Sequence, residues 1–256
     1  MRILIIRHGD PDYARDSLTE KGFRERACLL ETLKKEGITS IYVSPLGRAQ
    51  RTAEPIAEYC GIEPITLDWL REFPGSVKPP YEELGIVPAW NTNCPWNLMP
   101  QYWTTQNEFY SNEMWADHPL YDGSGVHKTC AAIDAGWEAL MDRHGYERNG
   151  QLYDIKPDTD ESQTIALFCH LGLGLGLLSR ILKAPLPFMW QSFFLPCSSV
   201  TTVYTEKYKP YLNQCILRVI GLGDVSHLRV GDEPVSSSGL HSQILLPPDG
   251  DPAFGH

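Results

Sequence analysis

The chain reads as an α/β protein: a three-layer αβα sandwich with a mostly parallel central sheet and an aromatic-rich insertion. Three observations point there. Short apolar runs rich in Ile, Leu and Val alternate with stretches of helical periodicity. In the first seventy residues a helix, and not a hairpin partner, separates each strand-like run from the next, which implies parallel pairing. The apolar runs end abruptly at charged residues, as strands do when they leave a buried sheet.

Taken in order, Arg2 to Ile6 is the first strand, ending at Arg7-His8-Gly9-Asp10. A helix follows, with Ser17 and Glu20 as its capping box and Phe23, Ala27 and Leu30 on its apolar face. Gly37 is its stop, and Ile41-Tyr42-Val43 is the second strand, closed by Ser44-Pro45. The second helix carries Ala49, Thr52, Ala53, Ile56, Ala57 and Cys60 at helical spacing; Pro55 breaks one of its hydrogen bonds and Gly61 closes it. Pro64 to Leu67 is a third strand. From Pro74 to about Gly125 the rhythm fails. Trp90, Trp96, Trp103 and Trp115 lie there with Tyr81, Tyr102, Phe109, Tyr110 and Tyr121, too aromatic for a flexible linker. This is an insertion of turns and short helices, placed as a lid. Val126 to His144 is a helix with Val126, Cys130, Ile133, Trp137, Leu140 and Met141 as its stripe. Asn149 to Gln163 is a polar surface loop, Thr164 to Cys169 a strand, and Leu171 to Leu182 an apolar, glycine-punctuated helix. Ser199–Thr205 and Cys215–Ile220 form a hairpin. Residues 1–230 are thus one domain, and 231–256 a loosely held tail.

Composition narrows the function. The 256 residues are 42% hydrophobic and 21% charged, an ordinary globular balance. No apolar run reaches the roughly 18 residues of a membrane helix. The opening run is too short for a secretory signal core, so a cytoplasmic protein is expected. The net charge of −10 disfavours nucleic acid and anionic membrane as partners, but a local cluster of bases can still take a small anion. Seven scattered cysteines without a CxxC pair read as free buried thiols. The histidines, His118, His127, His144, His227, His241 and His256 among them, show no ligand-like spacing, so no metal and no cofactor is expected. Gly172-Leu173-Gly174-Leu175-Gly176 matches a dinucleotide fingerprint only in part; close helix packing explains it better.

Arg7 and His8 follow the first strand, Arg48 lies just past the second, and His170 follows the late strand. In a parallel sheet these ends share one edge, where open α/β sheets bind ligands. Two arginines and two histidines converging there form a trap for a small dianion, helped by backbone donors of the helix starting near Gly47.

This order resembles the histidine phosphatase superfamily, the phosphoglycerate mutase-like proteins. The triplet Arg7-His8-Gly9, the stretch Ser44-Pro45-Leu46-Gly47-Arg48-Ala49-Gln50-Arg51-Thr52-Ala53, the Leu70-Arg71-Glu72 triplet and His170 after its apolar strand are similar to its four motifs. Leu18-Thr19-Glu20-Lys21-Gly22 and Gly223-Asp224-Val225-Ser226-His227-Leu228 add to the likeness. It covers about residues 1–73 and 126–228. The resemblance implies that His8 attacks phosphorus through a ring nitrogen to give a phosphohistidine. Its other nitrogen is then held by a backbone carbonyl. Arg7, Arg48 and His170 bind the phosphoryl oxygens. Glu72 protonates the leaving oxygen and later activates water, which requires a raised pKa. Ser44 bonds to phosphate or to its neighbours. Glu82 and Glu83 are the runner-up acids.

There are departures. Leu171 stands where the family commonly has Gly, which narrows the pocket rim or alters the helix start. The Asp122-Gly123-Ser124-Gly125 stretch lacks the family's Glu. The implied activity is metal-independent hydrolysis of a small phosphomonoester. The alternatives are a mutase, which returns the phosphoryl group to the same molecule, and a non-catalytic phospho-ligand binder. Lys78 is the only Lys or Arg between Pro74 and Gly125, which favours the phosphatase over the mutase. The oligomeric state and the role of His227 stay open.

Overall fold

The structure, a computed structural model, describes residues 1–90, 93–209 and 212–240. Residues 241–256 of the expected tail, with His241 and His256, lie outside the described residues.

Fourteen elements build the frame. They are β1 (Arg2–Arg7), α1 (Glu20–Leu33), β2 (Ser40–Val43), α2 (Gly47–Cys60), β3 (Ile65–Thr66), α3 (Val126–Arg143) and β4 (Tyr146–Asn149). After them come β5 (Leu152–Ile155), β6 (Thr164–Cys169), α4 (Leu171–Leu182), α5 (Leu186–Ser192), β7 (Val200–Glu206), β8 (Gln214–Asp224) and α6 (Ser226–Val230). One mixed sheet runs β3-β2-β6-β1-β7-β8-β5-β4. Its first four strands are parallel to one another, and the pairs beyond β1 are antiparallel.

Alternation within β1 separates two cores. Leu4 and Ile6 join Leu29 and Leu33 of α1 and Ala49, Ala53 and Ile56 of α2. Ile3 and Ile5 join Trp137 of α3, Leu173 and Leu177 of α4, and the insertion. That gives the three layers. The insertion holds a one-turn helix at Pro100–Trp103 and 3-10 turns at Asn107–Tyr110, Trp115–Asp117 and Pro119–Tyr121. Tyr81, Tyr102, Phe109 and Tyr121 are buried in the same core as Ile3. In α2, Pro55 cannot bond the Arg51 carbonyl, and Arg26 Nη1 donates to that oxygen instead, at 2.7 Å. No helix of the described residues is long and apolar enough to cross a membrane.

Four local expectations need correction. The cap of α1 is Thr19, whose hydroxyl accepts from the Gly22 amide; Ser17 pairs in a two-residue bridge with Asp12. The inward face of α1 is Gly22, Glu25, Leu29 and Leu33, and Phe23 and Ala27 are exposed. The cause is the turn after β1. A Cβ on Gly22 would stand 2.2 Å from the Asp10 carbonyl oxygen, so that turn seats on Gly22 and sets the helix rotation. The polar stretch expected as a surface loop contains β5, which forms a hairpin with β4 just before it and extends the sheet through β8. Finally, the described part of the tail is not loosely held. Glu233 pairs with Lys21 at 3.0 Å and with Arg24 at 2.8 Å, and Ser236 donates to Asp10.

Candidate active site

Strand register brings the site together. Arg7 pairs with Cys169 and Val43 with Phe168, so β1, β2 and β6 end at one level. His8, Ser44 and His170 therefore emerge side by side. The imidazole centroids of His8 and His170 are 5.1 Å apart, and both side chains are buried.

The His8 ring is tied down at one nitrogen. Nδ1 bonds the Gly9 carbonyl at 2.7 Å, which leaves Nε2 facing Arg48 Nε at 3.4 Å. Burial, reinforced by Arg7 and Arg48, holds its pKa well below the usual histidine value, so the ring is neutral at pH 7. The His8 backbone is fixed from both sides: its amide donates to Cys169 O, and its carbonyl accepts from Ser198 N, each at 3.0 Å. Ser198 holds a left-handed φ of 57° and shares a 3.0 Å bond with His227 Nε2. His227 thus braces the turn behind His8.

His170 caps α4 from an extended backbone. Its Nε2 meets Ser44 Oγ at 2.7 Å, while its buried Nδ1 has no partner among the described residues. Ser44 Oγ also accepts from the Leu46 amide. A hydroxyl hydrogen directed at Nε2 puts the ring proton on Nδ1, which makes that nitrogen a donor into the site. The structure therefore places Ser44 behind His170 and bonded to it, not at a free position of its own. The pKa of His170 is also driven well down, by burial and then by His8 and the arginines.

The two arginines are seated differently. Arg7 donates Nη1 to Leu195 O at 2.6 Å and Nη2 to Ser238 O at 2.9 Å, with its guanidinium 5.4 Å from the Phe194 ring centroid. Its buried Nε has no partner among the described residues. Arg48 donates Nη1 to Asp16 Oδ1 at 2.7 Å, and the other oxygen of Asp16 accepts from Gly47 N, the first amide of α2. Asp16 was not legible as a site residue. It sits at a φ of 46° that no local motif announces.

Glu72 lies at the amino end of α4. Its Oε1 accepts from the Phe73 and Leu173 amides, both at 2.9 Å, and Oε2 from Gly172 at 3.3 Å. Those donors favour the anion, yet burial outweighs them and its pKa is raised. Gly172 is required by space, since a Cβ there would meet Trp96 at 2.6 Å and Glu72 Oε1 at 2.9 Å. Leu171 starts α4 without distortion and faces the C-terminal segment at Gly239. Glu82 and Glu83 are exposed and make no bond to these groups. Among the described residues no group of three or more His, Cys, Asp or Glu could hold a metal ion.

Fold and site together define an α/β protein with paired neutral imidazoles and two guanidiniums at the carboxyl edge of parallel strands. Residues 3–83 match the pattern of the histidine phosphatase superfamily, branch 1. The Probable phosphoglycerate mutase GpmB of Cronobacter sakazakii is 38% identical over 81 residues, 28% of this chain and 38% of that protein. This chain thus spans well under half the length of the curated relative it matches. Among solved structures, a protein titled Mycobacterial hydrolase 2 has a TM-score of 0.58 at 18% identity, covering 90% of this chain and 96% of its own. A mycobacterial glucosyl-3-phosphoglycerate phosphatase complexed with VO3 has a TM-score of 0.56 at 18% identity, covering 87% and 98%. At such identities the likeness is one of fold. His170 lies beyond the matched segment, and its place is supplied by β6.

Proposed function

We propose that the protein hydrolyses a small phosphomonoester through a phosphohistidine on His8, without a metal. One arrangement carries the reading: His8 is anchored at Nδ1 and turns Nε2 towards Arg48 Nε at 3.4 Å, beside a second buried imidazole whose Nδ1 has no partner among the described residues. Nε2 attacks phosphorus in line, the N–P bond forms and the ester P–O bond breaks. Arg7 Nε, Arg48 and His170 Nδ1 stabilise the equatorial oxygens, supplying charge that other phosphatases take from metal ions. Glu72 gives its proton to the leaving oxygen and then takes one from the water that attacks phosphorus and frees His8.

The insertion serves as a lid, with Trp96 standing over Gly172 beside the acid. The relative named a mutase favours a second reading, return of the phosphoryl group to the substrate. Hydrolysis is preferred because the insertion offers a single Lys or Arg, Lys78, for a second acidic group. The expected result is turnover of p-nitrophenyl phosphate in the presence of a chelator, abolished in His8→Ala, with acid-labile, base-stable phosphate trapped on the protein. Turnover that needs a divalent metal or survives the substitution refutes the reading.

A further inference from the structure

We propose that Glu25 is a positioning residue for His8 that acts through the Gly9–Asp10 peptide group, a proposal that rests on the phosphohistidine reading. Glu25 lies on the inward face of α1 and is fully buried, an uncommon place for a carboxylate. Its Oε2 accepts from the Asp10 amide at 2.8 Å. The same peptide unit carries the Gly9 carbonyl, which receives His8 Nδ1 at 2.7 Å. A trans peptide points its C=O and N–H in opposite directions. Imidazole, amide and carboxylate therefore form one line of hydrogen bonds. Gly22 makes the approach possible, because any side chain there would collide with the Asp10 carbonyl.

Ionised Glu25 polarises this amide and leaves the Gly9 oxygen more negative. The Nδ1–H bond is strengthened and the ring proton is held on Nδ1. The lone pair stays on Nε2, and the positive charge that the ring gains as the N–P bond forms is steadied. No proton or other atom is transferred along the line. It does through one peptide what a carboxylate bonded directly to an imidazole does in a hydrolase triad.

A purely structural role explains the carboxylate poorly. Satisfying the Asp10 amide requires only an acceptor, which a neutral glutamine supplies. The second oxygen, Oε1, has no hydrogen-bond donor among the described residues, and Lys21 Nζ stands off at 3.7 Å. The groups around Glu25 are Lys21, Arg24 and Cys28 on its own helix, Asp10 on the turn, Cys197, and Glu233 of the C-terminal segment. Burial, with Asp10 and Glu233, pushes Glu25 up to about 7 against the pull of the Asp10 amide and Lys21. The relay is therefore switched on as pH rises through neutrality.

The test measures kcat and KM for p-nitrophenyl phosphate against pH in the full chain, its Glu25→Gln variant and its His8→Ala variant, with melting temperatures alongside. In Glu25→Gln, kcat above neutrality is expected to fall about five- to tenfold, the difference between a charged and a neutral acceptor. KM should hold, and the rise of kcat through about pH 7 should vanish with the titrating group. An unchanged kcat and profile, with His8→Ala inactive, overturns the relay and leaves the phosphohistidine standing. Activity surviving in His8→Ala overturns both. Nitrogen-15 NMR of the wild-type chain gives a readout independent of the variant's folding. The His8 Nδ1–H resonance is expected to move downfield with a midpoint near 7 as Glu25 ionises, and a resonance that stays put overturns the relay.

Discussion

Replacing Glu72 by Gln keeps the side chain's shape and removes the proton that the proposed mechanism has it exchange. The wild-type carboxylate receives three amides, two at Oε1 and the longest, from Gly172, at Oε2. A glutamine keeps its oxygen on the Phe73 and Leu173 side and turns its NH2 towards Gly172 N. One long bond is lost and two donors face each other, so stability falls by about 1 kcal/mol, the low end for a disrupted buried hydrogen bond. The kinetic cost is larger. Loss of general acid catalysis slows an alkyl phosphate by about 10²- to 10⁴-fold, roughly 3 to 5 kcal/mol of barrier. For p-nitrophenyl phosphate the slowing should stay within about tenfold, because nitrophenolate departs with little protonation. Parallel kcat/KM measurements on the two esters, at a temperature well below both melting points, decide the matter. Equal slowing on both refutes the assignment of proton transfer to Glu72. Burial raises its pKa, so alkyl-ester turnover in the wild type should decline as pH rises through that value and the acid is lost.

Two further outcomes test the frame around the site. Burial lowers the pKa of His227 from 6.5 to about 4, so its contribution to stability is complete above pH 6.5 and is lost as pH falls towards 4, roughly 3 kcal/mol in all. Urea unfolding should show the wild type losing more stability than His227→Gln over that window, and parallel losses would contradict the burial of a neutral ring. In Gly47→Ala the new Cβ would lie 2.1 Å from the Asp16 carbonyl oxygen, so the Asp16 turn must move and release Arg48. Overpacking of this kind costs about 1–3 kcal/mol. A lower melting temperature with a raised KM is expected; wild-type values for both would show that the turn gives way freely.

Arg7, His8, Arg48 and His170 were legible because each follows a local pattern, an apolar run ending at a base or a helix start, whereas Glu72 was legible only through the resemblance of its Leu70-Arg71-Glu72 triplet to a family motif. The stripe of α3 was legible for the same reason, since residues three and four apart share a helix face whatever packs on it. Other features were less so. The β4–β5 hairpin carries the Asn149-Gly150 turn signal, yet only Tyr153 and Ile155 of β5 are buried, so the polar flanks outweighed it. The rotation of α1 was hidden because its buried face includes a carboxylate and a glycine, which hydropathy assigns to solvent.

Sequence order alone thus carried the alternation of strands and helices and the kinds of side chain at the strand exits, because these are written in spacings of a few residues. Packing across the molecule settled the rest. The partners of the key groups lie far off in the chain: Ser44 for His170, Asp16 for Arg48, and Ser238 for Arg7. A hydrogen bond depends on distance in space, and burial shifts a pKa only once other elements have excluded water. Neither is written in the neighbours of a residue, so the neutral imidazoles and the braced Glu25 emerge only when strand register and the C-terminal segment close around them.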